Sequence, residues 1–145
     1  MARRYRFRLD SVLRVRRIQE EMARKELVEA VRDQTTAQEK LVRRSEHYAG
    51  LPPAASDLAA DDFLSHRSRS IAAAAAVAAA RANWQMSMAV TDARRVAWAE
   101  AETKVKSLER LDERHREEHR QEELRFEQRE VDDLVARPRR QDDDR

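Results

Sequence analysis

Hydrophobic residues recur at seven-residue intervals along two long stretches of the chain, which is typical of α-helices that pack against a partner helix. In the first stretch this spacing links Leu13, Leu27 and Leu41. Alanines that lie three positions after several members of this seven-residue series would allow the helices to approach closely. The pattern predicts a narrow seam along one face of each helix rather than burial on all sides. In the second stretch the predicted seam comprises Phe63, Val77, Trp84, Trp98, Val105 and Leu108.

One short region separates the two stretches. Gly50 stands where a left-handed residue would end a helix, and Pro52 and Pro53 prevent the helix from continuing. Asp10, or Ser11, is predicted to cap the first helix. We therefore expect an all-α, antiparallel two-helix coiled-coil hairpin whose second helix is the longer. Its predicted parts are a basic and aromatic segment (1–9), a first helix (10–49), a loop (50–56), a second helix (57–136) and a disordered tail (137–145).

The predicted register leaves the end of the second helix uncovered. If the chain reverses near Pro52, Leu13 faces about Asp92, and the first helix does not reach past about residue 100. The stretch from 112 to 123 contains no apolar residue, so a helix there is expected to be solvated on every side. Apolar residues return from Leu124 onward. We therefore expect this final third to dock on another molecule.

Composition supports a long helical structure and restricts the compartment. Charged residues make up 40% of the chain, there is one glycine, and the formal net charge is +2. Arginines cluster at the start of the chain, whereas 100–133 is rich in acidic residues. The absence of cysteine excludes a disulfide framework. No secretory signal or membrane-spanning run is evident, so we expect a soluble cytoplasmic protein.

Candidate catalytic and ligand-binding patterns are weak. His115 to His119 matches the inverted zinc-peptidase string H-x-x-E-H, but no third ligand or cleft accompanies it, which favours a solvated charged face. The sequence contains no glycine-rich phosphate loop and no nucleophile paired with a base, so neither an enzyme nor a cofactor is expected. The basic start could bind nucleic acid or anionic lipid, although no recognised nucleic-acid motif follows it. A basic module of this kind, or a coiled-coil scaffold of another assembly, remains an alternative.

Two blocks of sequence together resemble the flagellar export protein family FliJ. The first block, from Phe7 to Arg16, contains Phe-x-Leu followed by Asp, Leu and arginines. The second, from Ser107 to Val135, contains Leu-Glu-Arg-Leu, spaced arginines and glutamates, and a final Asp-Asp-Leu. The sequence departs from the family pattern at His119, where the family often has Tyr, and in the alanine run 72–80.

The resemblance implies a non-catalytic coiled coil similar to the central stalk subunit of rotary ATPases. It implies association with the hexameric flagellar export ATPase, whose assembly and activity such a protein promotes, and contact with the export gate membrane protein. Some family members also handle export chaperones. The implied location is the cytoplasm, peripherally at the inner face of the cell membrane, with no nucleic acid partner. The residues then expected to contact the ATPase are Phe7, Leu9, Leu13, Arg14, Arg17, Arg110, Leu111, Arg114 and Arg120.

Overall fold

The computed structural model describes residues 4–57 and 59–136, which form two α-helices and no strand. Helix α1 spans Asp10–Ala49 and helix α2 spans Ala60–Ala136. The helices pack together as a hairpin and α2 is the longer, which confirms the predicted fold class. The tail predicted to be disordered, 137–145, lies outside the described residues, as do the first three residues of the basic segment.

The chain divides into two compact units. The first, called here the hairpin unit, is Ile18–Glu102. The second, called here the clasp unit, combines Met1–Arg17 with Thr103–Arg145. Each unit therefore contains part of both helices. Within the described ranges, no helix is long and apolar enough to cross a membrane.

In both helices the first backbone hydrogen bond is accepted by a residue other than the one predicted to cap or begin the helix. The first α1 hydrogen bond runs from the Leu13 amide to the Leu9 carbonyl, 2.8 Å, so Asp10 lies inside the helix. Helix α2 begins at Ala60, not at Asp57, and its first bond joins the Phe63 amide to the Ala59 carbonyl, 3.0 Å. The prediction relied on capping side chains, whereas the backbone here starts each helix from an apolar residue.

The prediction of a left-handed conformation at Gly50 is wrong, because no described glycine has a positive φ. The Gly50 amide instead continues the helix by bonding the Glu46 carbonyl, 2.9 Å. The Leu51 amide then bonds the Tyr48 carbonyl at 3.3 Å, a tighter turn that satisfies a carbonyl at the helix end. The prolines that follow stop α1 without requiring a special glycine conformation.

The helices of the hairpin unit pair in a register different from the predicted one. A reversal near Pro52 would have placed Glu20 opposite Gln85, but Glu20 accepts a hydrogen bond from Trp98, a shift of about 13 residues or ~20 Å along the helix. The reason is the loop. It continues past Pro52, whose carbonyl lies 2.5 Å from His66 Nε2, so the chain reverses later. The bonds that fix the register are Trp98–Glu20, 2.7 Å, Arg94–Glu26, 2.6 Å, and Thr91–Ala30, 3.1 Å.

The seam of the hairpin unit closes most tightly around small residues. Thr91 is fully buried, and its hydroxyl lies within hydrogen-bond distance of the Ala30 carbonyl and of the Ser87 carbonyl, 2.9 Å, in its own helix. The predicted seam residues Leu27, Leu41, Val77, Trp84 and Trp98 are half-buried along it. Phe63 does not fit the prediction, since it is 45% exposed. The later reversal places it opposite the loop instead of α1. Buried alanines complete the seam: Ala30, Ala37, Ala73 and Ala80.

Candidate partner-binding site

The clasp unit has a small apolar core that holds the N-terminal segment against α2. Phe7, Leu13 and Val105 are buried in it, and Tyr5, Leu108 and Leu111 pack against them. Burial alternates along 4–7, because Tyr5 and Phe7 pack toward α2 while Arg4 and Arg6 are exposed. Arg8, in the turn that follows, is exposed as well. The core therefore fixes a row of arginines on the outer side of the segment.

Tyr5 makes a polar contact that spans 107 positions of the chain. Its hydroxyl donates to Asp112 Oδ1 at 2.8 Å and lies 3.2 Å from the Asp112 carbonyl. Arg116 bonds the same carboxylate at 2.8 Å and lies 5.8 Å from the centre of the Tyr5 ring. Partial burial, then the hydrogen bond and charge of Asp112, raise the pKa of Tyr5 above its ordinary value of 10.0, and Arg116 lowers it by less. The neutral form of the Tyr5 side chain is therefore the one that is stabilised when the N-terminal segment packs against α2.

The two histidines of the H-x-x-E-H string contact the aromatic residues of the segment. His115 meets Phe7 edge-on, with ring centres 6.1 Å apart, and His119 meets Tyr5 in the same way at 5.6 Å. His119 Nδ1 also lies 3.6 Å from Glu123. The expectation of a helix solvated on every side from 112 to 123 is therefore wrong. Within the described part of the chain, no three histidine or acidic residues are placed to hold a metal ion.

This contact does not follow from the pattern of apolar residues, because the α2 residues that meet Tyr5 and Phe7 are polar. Asp112 is a hydrogen-bond acceptor and the histidines offer ring edges, so a string without apolar residues still accommodates Tyr5 and Phe7. The available signal was the one-turn spacing of His115 and His119, which places both rings on one face of α2.

The uncovered part of α2 is shorter than predicted. Leu13 packs near Val105 instead of facing Asp92, and contacts with the chain's own N-terminal segment continue as far as His119. The remainder, 120–136, is called here the bare arm. Its side chains are exposed except for Glu123, which is half-buried. Its apolar residues include Leu124, 59% exposed, and Val131, 57% exposed. The predicted uncovered helix end therefore exists but begins at residue 120, about 20 residues further along α2 than predicted.

The apolar residues predicted to contact a partner lie in different environments. Phe7 and Leu13 are 7% and 4% exposed, so they hold the chain's own core and are not on the accessible surface. Leu111 is half-buried at the edge of that core. Leu9 is 37% exposed and remains available for contact.

The predicted arginines all lie on the surface of the clasp unit. Arg14 pairs with Asp10 at 3.3 Å, and Arg17 pairs across the helices with Glu109 at 2.9 Å. Arg120 pairs with Glu117, one turn before it. Arg110 and Arg114 are exposed and share an open face of α2 with Glu113, Glu117 and Glu118. The structure thus brings the candidate arginines into one unit, and of these Arg110, Arg114 and Arg120 lie on α2 at or just before the start of the bare arm.

Comparison with known protein families identifies the chain. A family model described as flagellar FliJ protein matches residues 5–142, nearly the whole chain. The chain belongs to the FliJ family. The match extends over the docked segment, both helices and the bare arm, and it confirms the resemblance inferred from the two sequence blocks. This FliJ-family chain is therefore a component related to flagellar export. No curated protein and no solved structure gives a significant match.

Proposed function

We propose that this FliJ-family protein is a non-catalytic, stalk-like activator and assembly factor of the hexameric flagellar export ATPase. The bare arm is the observation that carries the proposal, because it is a helical segment exposed on nearly all sides that still bears apolar residues. Among the described residues of the clasp unit it is the part best suited to enter a ring-shaped partner.

The proposed action is binding, without any chemical step by this chain. A ligand shifts the arrangement of ring subunits only by the difference between its affinities for the two arrangements. Arginines near the start of the arm can pair with carboxylates lining a cavity. Such ion pairs would give the protein a higher affinity for one arrangement of ring subunits than for the other. Arg110 and Arg114 are the best placed of these, since they are exposed and have no intramolecular partner among the described ion pairs.

Phe7 and Leu13 have a positioning role in this proposal. Their burial holds the N-terminal segment against the part of α2 that precedes the arm, which keeps the segment's exposed arginines on the surface of the clasp unit. A preformed surface loses less conformational entropy on binding than a flexible one. These side chains therefore contribute to partner affinity through the geometry of the clasp unit.

The steady-state ATPase activity of the cognate ring tests the proposal. We expect purified wild-type protein to raise the activity, and the double variant Arg110→Glu, Arg114→Glu to need about tenfold more protein for the same effect. The matched control is Arg67→Glu, Arg69→Glu, which reverses two exposed arginines of the hairpin unit and should behave as wild type. Circular dichroism establishes that each variant remains helical. No stimulation of a demonstrably active cognate ring would overturn the proposal.

The proposal also includes a link from the ATPase to the export gate membrane protein or to export chaperones, in the cytoplasm at the inner face of the membrane. This part is supported by family membership alone. Co-sedimentation with the detergent-solubilised gate protein, and separately with each chaperone, tests it. Failure to bind any of them would remove the link and leave the ATPase proposal standing.

A further inference from the structure

We propose that a second copy of this chain occupies the bare arm, forming a reciprocal dimer through the two clasp units. The arm of each copy would pack against the outer side of the N-terminal segment of the other. This association is a property of the chain alone and goes beyond the proposed action on the ATPase.

The first of the two surfaces is basic with an apolar strip, and is called here the basic edge. Arg4, Arg6 and Arg8 are exposed along it, and burial of the intervening aromatic residues holds them in a row. The edge continues into α1, where apolar residues remain accessible at intervals of three. These are Leu9, 37% exposed, Val12, 41%, and Val15, 53%.

The second surface, the bare arm, is acidic with an apolar strip. It contains six carboxylates and three arginines. Leu124, Val131 and Val135 lie seven and four residues apart, which places them on one face of the helix. Val135 is 80% exposed. Each surface thus combines accessible aliphatic residues with charge, and the two charges are opposite in sign.

The geometry directs the arm to a different molecule. Helix α2 is continuous to Ala136, so the arm extends away from the site where Tyr5 and Phe7 dock and cannot fold back onto its own edge. Because each copy offers one arm and one edge, two copies can satisfy both contacts around a two-fold axis, and the assembly closes.

Other partners fit only half of this arrangement. An anionic membrane or a nucleic acid would attract the basic edge but would be repelled by the acidic arm. The arm is short, at ~25 Å for 17 residues, so the interface falls in the size class of weak, transient complexes. Such an interface should depend on concentration and on salt.

Sedimentation equilibrium of charge-reversed variants tests the proposal. We expect the wild-type protein to dimerise at low salt and to bind about tenfold more weakly when added salt screens the charges. An edge-reversed variant, Arg4→Glu, Arg6→Glu, Arg8→Glu, places like charges at both contacts. An arm-reversed variant, Glu127→Arg, Glu130→Arg, Asp132→Arg, does the same with opposite sign. Each alone should dimerise at least about tenfold more weakly than wild type.

Mixing the two reversed variants gives the decisive result. In an equimolar mixture each acidic arm meets a basic edge and each basic arm meets an acidic edge, so heterodimers should form with near wild-type affinity. A control variant, Arg67→Glu, Arg69→Glu, Arg81→Glu, reverses three exposed arginines of the hairpin unit and should dimerise as wild type does. Circular dichroism verifies helical content in every case.

Three outcomes would overturn the proposal. These are a wild-type protein that stays monomeric at low salt and high concentration, a mixture of reversed variants that fails to associate, or a control that loses dimerisation equally. Binding of the monomer to anionic vesicles through the basic edge, with no dimer, would identify lipid as the occupant instead. None of these measurements includes the ATPase. Failure of the dimer proposal is therefore distinguishable from failure of the proposed function.

Discussion

Truncation of Phe7 is the sharpest test of the docked N-terminal segment. The Phe7 side chain is 7% exposed and shares the clasp core with Leu13 and Val105, while His115 lies against its ring. If this contact holds the segment on α2, the variant Phe7→Ala should release residues 4–9 and loosen the start of α1. The helices of the hairpin unit should remain paired, since the described hydrogen bonds that fix their register do not involve Phe7.

The expected loss follows from the size of the side chain and of its surroundings. Burial of a Phe side chain contributes ~1.5–3 kcal/mol, and Phe→Ala in a closed core costs ~3–5 kcal/mol. The clasp core has only three buried apolar residues, so its neighbours can move into the vacated space. We therefore expect the free energy of docking to fall by about 2–3 kcal/mol.

Hydrogen exchange read by mass spectrometry measures this effect. Amides of 10–17 and of 103–119 should exchange about 30- to 150-fold faster in Phe7→Ala, which corresponds to the expected loss of docking free energy. Amides of the hairpin unit should be unchanged. The matched control is Phe126→Ala, the same truncation on the bare arm, where the ring is 56% exposed. It should cost less than about 1 kcal/mol and leave 10–17 protected.

Equal exchange rates in the two variants would contradict this prediction, because a side chain that holds the segment on α2 must protect its amides more than an exposed ring does. So would faster exchange across the hairpin unit in Phe7→Ala, since that would show that the two units unfold together.

Three further predictions concern individual contacts. Thr91→Val keeps the side-chain shape but removes a buried hydroxyl, so it should lower the free energy of unfolding by about 1 kcal/mol in urea titrations followed by circular dichroism. The raised pKa of Tyr5 means that the clasp retains the stabilisation of the neutral phenol below pH 10.0 and loses it as the pH rises through the raised pKa. Tyrosine Cζ chemical shifts should show this titration, and Asp112→Asn should move the Tyr5 pKa back toward, but not to, 10.0, because partial burial remains. Trp98→Phe removes the hydrogen bond to Glu20, whereas the buried indole nitrogen of Trp84 has no partner among the described residues. Trp98→Phe should therefore destabilise the chain by about 1 kcal/mol more than Trp84→Phe in urea titrations. Equal destabilisation, or the reversed order, would contradict this prediction.

Much of the hairpin unit could be predicted because its information is local and periodic. The heptad spacing of Trp84 and Trp98 indicated which face of α2 is buried, and both residues are half-buried there. The exception, Phe63, shows the limit of periodicity. Heptad spacing identifies the buried face of a helix, but it does not determine whether a partner helix extends far enough to cover a given position.

The candidate binding surface was predicted less well, for a related reason. The resemblance to the FliJ family led to the prediction that Phe7 and Leu13, which lie in a basic and aromatic part of the chain, form part of a partner-binding surface. Burial depends on what lies opposite, and the residues opposite Phe7 are about a hundred positions away along the chain. Arg14 and Arg17 from the same predicted set, by contrast, are exposed, since charged side chains are rarely buried.

The two helices, the Gly and Pro region between them and the greater length of the second helix were all predictable from local sequence, because helix propensity and chain breakers act over a few residues. The register of the helices and the docking of the N-terminal segment became apparent only in the folded chain. The register depends on where the irregular loop reverses the chain. The docking depends on which distant side chains contact Tyr5 and Phe7. No local pattern in the sequence encodes either one.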